Sequence, residues 1–202
     1  MCRAYKKCQL DTYCIESFVV IRVFDLLLSA LTLFLASPVI LSIFLLCLFD
    51  TGRPIFFQER LGRHKIPFVL IKFRTMASNT PSVASHQASS NAITPFGRFL
   101  RRTKLDELPQ LWNVLKGEMS LVGPRPGLLN QVELTAERER LSVFDFKPGI
   151  TGLAQINKID MSTPKLLAQT DARMIAEISF SNYLKYIFLT AIGKGSGDRI
   201  KS

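Results

Sequence analysis

A chain of 202 residues, 48% of them hydrophobic, is long enough for one domain with a buried core plus a membrane-embedded stretch, and too short for two independent domains. Its 26 Lys and Arg against 16 Asp and Glu leave a net charge of +10, which favours phosphate esters, anionic lipid headgroups or nucleic acid without choosing among them. Cys2, Cys8, Cys14 and Cys47 match neither a C-x-x-C metal pair nor a disulfide framework, and read as reduced cytoplasmic thiols.

The first predicted element is apolar. Residues 26–49 carry no charge, with Asp25 and Asp50 on either side. As a helix they would run about 36 Å, enough for a hydrocarbon core of about 30 Å. Ser37-Pro38 falls near the middle, where proline removes a backbone donor and a kink or helix-break-helix is expected. Arg3, Lys6, Lys7 and Arg22 precede the run, and Arg53, Arg60, Arg63 and Lys65 follow it. That symmetry gives the positive-inside rule nothing to act on, so a spanning helix and a hairpin re-entering on one face both stay open. A cleaved signal peptide fits less well, because the run exceeds an h-region and Pro38 would follow the only small-residue cleavage site.

Residues 55–60 and 67–74 are rich in Ile, Val and Phe and flank Leu61-Gly62-Arg63-His64, which predicts an antiparallel hairpin. Residues 77–93 are Ser- and Asn-rich and read as a long loop, in which His86 has no fixed partner to make it a base or ligand. Helices are expected over 128–141 and 164–192, the latter from Ile175, Ile178, Tyr183, Tyr186, Ile187 and Leu189 at near-helical spacing. The glycine-rich tail from Gly193 lacks the upstream glycine and preceding strand of a phosphate loop. No internal repeat is present.

The chemistry concentrates in residues 94–126, TPFGRFLRRTKLDELPQLWNVLKGEMSLVGPRP. Adjacent Asp106 and Glu107 lie between a basic cluster (Arg98, Arg101, Arg102, Lys104) and Arg125, which is held between two prolines. Thr103 is a candidate N-cap for a helix ending near Gly117, with Pro109 as an alternative start; either choice puts both acids near a helix N-terminus. An ionised carboxylate beside a bound phosphate has two uses, as a Mg²⁺ ligand and as a nucleophile forming an acyl phosphate. Arginine supplies a fork matched to phosphate oxygens. A bare Asp-Glu pair is more often a solvated helix surface with ordinary ion pairs.

An ordered series of segments alters that balance: IRVFDLLLS, Ser37-Pro38, GRPIFFQERLGR, FVLIKFRTM, the 94–126 stretch and KPGITGLAQI, covering about residues 21–156. The chain resembles the bacterial sugar transferases of the monotopic phosphoglycosyltransferase superfamily, in their small form. The resemblance implies an α+β, mostly helical fold with an N-terminal re-entrant membrane helix-break-helix at Ser37 and Pro38, a small β-hairpin and amphipathic membrane-surface helices. It divides the chain into a tail and membrane helix (1–50) and a catalytic domain (51–202) on the cytoplasmic face of the bacterial inner membrane. Asp106 would be the nucleophile and Glu107 its partner in a Mg²⁺ site. A phospho-sugar would pass from a UDP-sugar to polyprenyl (undecaprenyl) phosphate through an aspartyl intermediate with release of UMP, beginning a surface glycan or glycoconjugate. Arg101 and Arg125 match phosphate-binding arginines, Lys72 is a further candidate, and Asp171 matches a family acid, although Met174 stands where the family often has Tyr. A homodimer is left open. The sequence also places Arg22 and Asp25 one turn apart, suited to pairing at the membrane boundary. No reader helix, stacking strand or zinc spacing supports a nucleic-acid partner, and intact Asp106, Glu107 and Arg125 argue against an idle scaffold.

Overall fold

In the computed structural model the backbone is described for residues 2–77, 80 and 92–195, with side chains from residue 19 onward. Most of the 77–93 loop, including His86, and the end of the basic tail lie outside the described residues, as do the Cys2, Cys8 and Cys14 side chains.

Helix α1 (Cys2–Thr51) carries the entire apolar run, and within it Val19–Thr51 is long and apolar enough to cross a membrane. Helical backbone continues through Pro38, where the sequence predicts a kink or a helix-break-helix. The missing proline N–H strands the Phe34 carbonyl, and Ser37 Oγ donates to that carbonyl at 2.8 Å. One turn on, Ser42 Oγ donates to the Pro38 carbonyl at 2.8 Å.

Within Val19–Thr51 one packed stripe lies towards each end, and the middle is exposed. Ile21, Asp25 and Ser29 lie one turn apart on one packed stripe, and Ile43 and Cys47 form another. Between them Phe34 is 76% exposed and Leu35 65%. Ile21 joins the main core with Leu70, Val114, Met119 and Tyr183, whereas Ile43 and Cys47 pack with Phe73 and Leu100 in a second cluster.

The predicted hairpin forms. β1 (Ile55–Leu61) pairs antiparallel with β2 (Pro67–Phe73), Ile55 opposite Phe73 and Leu61 opposite Pro67. After it come α2 (Pro95–Thr103), α3 (Gln110–Lys116), β3 (Ser120–Val122) and α4 (Val132–Arg140). α4 starts later than the expected 128–141, because the Gln131 side chain accepts the Leu128 N–H at 2.8 Å and holds a turn there. β4 (Gly149–Thr151) pairs parallel with β3, a contact between strands too short to show a period in the sequence. α5 (Leu153–Ile156), α6 (Pro164–Ala176) and α7 (Phe180–Ala191) follow among the described residues.

The expected helix over 164–192 is thus two helices. Ser179 caps α7 by accepting the Asn182 N–H, and the Asn182 amide donates to the Glu177 carbonyl at 2.7 Å. Hydrophobic spacing runs across this polar break and conceals it. α7 buries Tyr183 and Tyr186 while exposing Phe180, Leu184, Phe188 and Ile192, an apolar row at intervals of four suited to a membrane surface.

Candidate active site

The acidic pair is framed by two helix ends. Thr94 caps α2, its Oγ1 accepting the Gly97 N–H at 2.8 Å, and Pro95 occupies the first turn. Gly97 is required by close packing, since a Cβ there would come within 2.1 Å of the Thr75 carbonyl oxygen. α2 ends where Lys104 turns left-handed at φ 59°. A single 3-10 turn, Leu105–Glu107, then leads through Pro109 into α3, which closes at Gly117 with φ 88°. Thr103 is therefore the last residue of one helix and not the cap of the next; its hydroxyl donates back to the Phe99 carbonyl at 2.9 Å. Asp106 and Glu107 sit in the link before α3 and are buried, with 4% and 7% exposure.

Glu107 Oε1 accepts from the Arg125 guanidinium at 2.9 Å, joining two parts of the motif 18 residues apart in sequence. Arg125 lies just beyond β3, where the strand packs so tightly on β4 that a Cβ on Gly149 would fall 2.0 Å from the Gly123 nitrogen. Its carbonyl accepts from Arg138 Nη1 at 2.8 Å. Arg138 in turn holds Asp171 Oδ2 through Nε at 3.0 Å and Nη2 at 2.7 Å. This second pair is closed to solvent, with side-chain exposures of 3% and 0%. Burial pushes the Asp171 carboxyl above its ordinary range, and Arg138 opposes that shift. Asp171 thus reaches the acidic pair by way of Arg138 and Arg125.

Arg101 is buried on α2. Its Nε donates to Thr75 Oγ1 at 2.8 Å, while its buried Nη1 has no partner among the described residues, a donor suited to an anionic oxygen. Lys72, also buried, sits on β2, which packs against the 105–107 turn, and its ammonium lies 5.5 Å from the Phe56 ring centroid. Burial also lowers the Lys104 ammonium's pKa; Glu107 opposes that shift and Arg125 adds to it.

No group of three or more His, Cys, Asp and Glu side chains able to cage a metal occurs among the described residues. Two adjacent carboxylates nevertheless suit Mg²⁺, which takes one or two protein carboxylates and fills its remaining positions from water and substrate phosphates.

Pro38 lies near this turn as well. It lines a cavity of about 330 Å³ with Phe96, Phe99 and Leu105, the residue before Asp106.

Arg22 and Asp25 form no direct ion pair, although the Arg22 charge still acts on the Asp25 carboxylate at longer range. Arg22 donates to the Val114 and Leu115 carbonyls at the end of α3, at 2.9 and 3.3 Å. Asp25 accepts from Ser120 Oγ at 2.6 Å and from the Tyr183 hydroxyl. A carboxylate inside a core needs such donors, and a surface pairing would have left it unsatisfied. Neither Arg138 nor this Asp25–Ser120–Tyr183 cluster stood out in the sequence: the first reads as one more charge on a polar helix, and the second joins residues far apart in the chain.

Residues 16–194 match the model of the bacterial sugar transferase family. The chain is 39% identical over 170 residues to the sugar transferase EpsL of Bacillus subtilis, covering 84% of each protein. It is 37% identical over 166 residues to the UDP-glucose:undecaprenyl-phosphate glucose-1-phosphate transferase of Caulobacter vibrioides, covering 79% of this chain and 61% of that one. The undecaprenyl-phosphate galactose phosphotransferase of Salmonella typhimurium is 37% identical over 162 residues, with coverage of 70% and 34%. The chain therefore spans most of the Bacillus protein but about three-fifths and one-third of the other two. With the acidic pair, its arginine and the apolar helix all inside the matched region, the chain belongs to the bacterial sugar transferase family.

Proposed function

We propose that the chain is a sugar-phosphate transferase that moves a phospho-sugar from a UDP-sugar to polyprenyl phosphate. The carrying observation is the Arg125–Glu107 contact, which sets a phosphate-binding fork beside Asp106, with the unpartnered Nη1 of buried Arg101 on the neighbouring helix. An Asp106 oxygen attacks the sugar-linked phosphorus. The new O–P bond replaces the bond to the UMP oxygen, and UMP leaves with that electron pair. A phosphate oxygen of the lipid then attacks the same phosphorus, freeing the Asp106 carboxylate and giving a polyprenyl diphosphate sugar. Arg125 and Arg101 orient the diphosphate and hold charge that develops on it. Mg²⁺ held by Asp106 and Glu107 would supply neutralisation of the diphosphate. The similar Caulobacter and Salmonella proteins are named for this class of donor and acceptor, one for glucose and one for galactose. Initiation of a surface glycan would be the resulting role.

Enzyme given UDP-sugar and Mg²⁺ without lipid should release about one UMP per active site and gain the mass of the phospho-sugar at Asp106. Asp106→Asn should fold and bind UDP-sugar yet release essentially none. Substantial turnover by that variant, or an adduct on another residue, would remove Asp106 as nucleophile.

The same reading makes α1 a re-entrant anchor in the bacterial inner membrane, bent at Ser37-Pro38, with tail and catalytic residues on the cytoplasmic face. Supporting it, both ends of the apolar run pack on one body while Phe34 and Leu35 between them stay exposed. In addition, Asp50 at the far end accepts from Thr94 Oγ1 at 2.7 Å. An impermeant thiol reagent applied to intact cells should leave Cys2, Cys8 and Cys14 unlabelled. Labelling from outside would establish a spanning helix instead.

A further inference from the structure

Strand β1 departs from the usual pattern of a strand with one buried face. Phe57 is 62% exposed, while the inward positions on either side of Glu59 carry Gln58 and Arg60, both buried. Polar side chains thus stand where packing alone would choose hydrocarbon, the kind of local exception found at functional positions. The Arg60 guanidinium reaches in two directions. Its Nη2 donates to Gln58 Oε1 at 2.5 Å, and its Nη1 donates to the Pro126 carbonyl at 3.0 Å. Pro126 directly follows Arg125, which lies between two prolines that have no N–H, so carbonyls are the main handles by which this backbone is held. Four successive carbonyls are taken, each by a different group. Pro124 accepts the Gly149 N–H at 2.9 Å, Arg125 accepts Arg138 Nη1 at 2.8 Å, Pro126 accepts Arg60 Nη1 and Gly127 accepts the Leu61 N–H at 3.0 Å. A carbonyl's direction sets the tilt of its peptide plane, so this row fixes the backbone on both sides of the Arg125 side chain.

We propose that Arg60 is a positioning residue for the phosphoryl transfer, acting through the Pro126 carbonyl to aim the Arg125 fork at the donor diphosphate, a role that rests on the transfer reaction above. A bidentate phosphate contact requires both the plane and the distance of the guanidinium to match. Misplacing such a group by about 1 Å can cost on the order of a hundredfold in rate. If the Arg60 bond only secured the hairpin to the rest of the protein, the Leu61 N–H contact to Gly127, one residue further along both segments, would already serve. The added bond falls on the carbonyl next to Arg125, where it governs the direction of that side chain. The residue type fits the task as well. One rigid, planar guanidinium meets Gln58 and Pro126 together, whereas a lysine ammonium is a point charge without that fork.

A double-mutant cycle on the lipid-free burst of UMP separates aiming from general support. Arg60→Lys should slow the burst by about tenfold while its amplitude stays near one UMP per folded active site. In an Arg125→Lys background, where the fork is already gone, the same change should slow the burst by less than about twofold more. A tenfold loss in both backgrounds would overturn the proposal, because it would show support that does not pass through Arg125. So would a parental burst rate in Arg60→Lys. Gln58→Leu provides a second cycle and decides the matter if Arg60→Lys does not fold. It withdraws the acceptor from Arg60 Nη2 while sparing the Pro126 contact, and should slow the burst by about two- to threefold in the parent and no further in Arg125→Lys. An equal loss in both backgrounds, or none in the parent, would again overturn the proposal. A parent enzyme with no UMP burst would instead sink the transfer reaction, and this role with it.

Discussion

Two arginine–carboxylate pairs lie in sequence along one path, and they differ in access to water. Arg138–Asp171 has side-chain exposures of 3% and 0%, whereas Arg125–Glu107 has 23% and 9%. A closed pair has no replacement partners and acts as a fixed brace. The more open pair leaves the Arg125 guanidinium partly accessible, as the proposed phosphate contact requires. Under the proposed function holding and binding are separate, with Arg138 fixing the carbonyl of Arg125 while the Arg125 side chain meets Glu107.

The contrast breaks first at Arg138. Arg138→Met leaves the Asp171 carboxyl buried without its partner, a loss of about 3–5 kcal/mol. For a chain of this size thermal unfolding should move down by roughly 10 °C. Adding Asp171→Leu should recover much of that loss, because apolar replacement of both partners removes the uncompensated charge. A thermal shift as large in the double variant as in the single one would show that the pair is not a closed unit. A smaller effect, on rate alone, is expected at Arg125. Arg125→Lys keeps the charge but not the fork, and should cost about 1.5–3 kcal/mol of transition-state stabilisation, ten- to a hundredfold in turnover, with little change in melting temperature. Parental turnover in Arg125→Lys would dismiss the clamp.

The sequence made some of this architecture legible for identifiable reasons. The hairpin 55–73 declares itself through two β-branched and aromatic runs around a glycine turn, and the two strands form with Leu61 added to the first. The acidic pair and Arg125 were visible as a charge pattern, although their meeting at 2.9 Å depends on the β3–β4 contact, which three-residue strands do not announce. Thr103 and Thr94 are equally good caps by residue type. The left-handed Lys104 decides between them, and that is a property of backbone packing. Asp171 was recognisable by resemblance alone, while its partner Arg138 was hidden among Glu137, Glu139 and Arg140, residues of the same kind that remain at or near the surface.

The Asp25–Ser120–Tyr183 cluster has a consequence for biogenesis. Asp25 precedes both of its hydroxyl partners in the chain, since they come from β3 and from α7. During synthesis the N-terminal portion must therefore wait with a carboxylate in search of donors, and the last helix supplies the second of them. A polypeptide released before Tyr183 keeps its anchor but leaves that acid without the tyrosine hydroxyl. Through this contact stable seating of α1 depends on synthesis having passed α7.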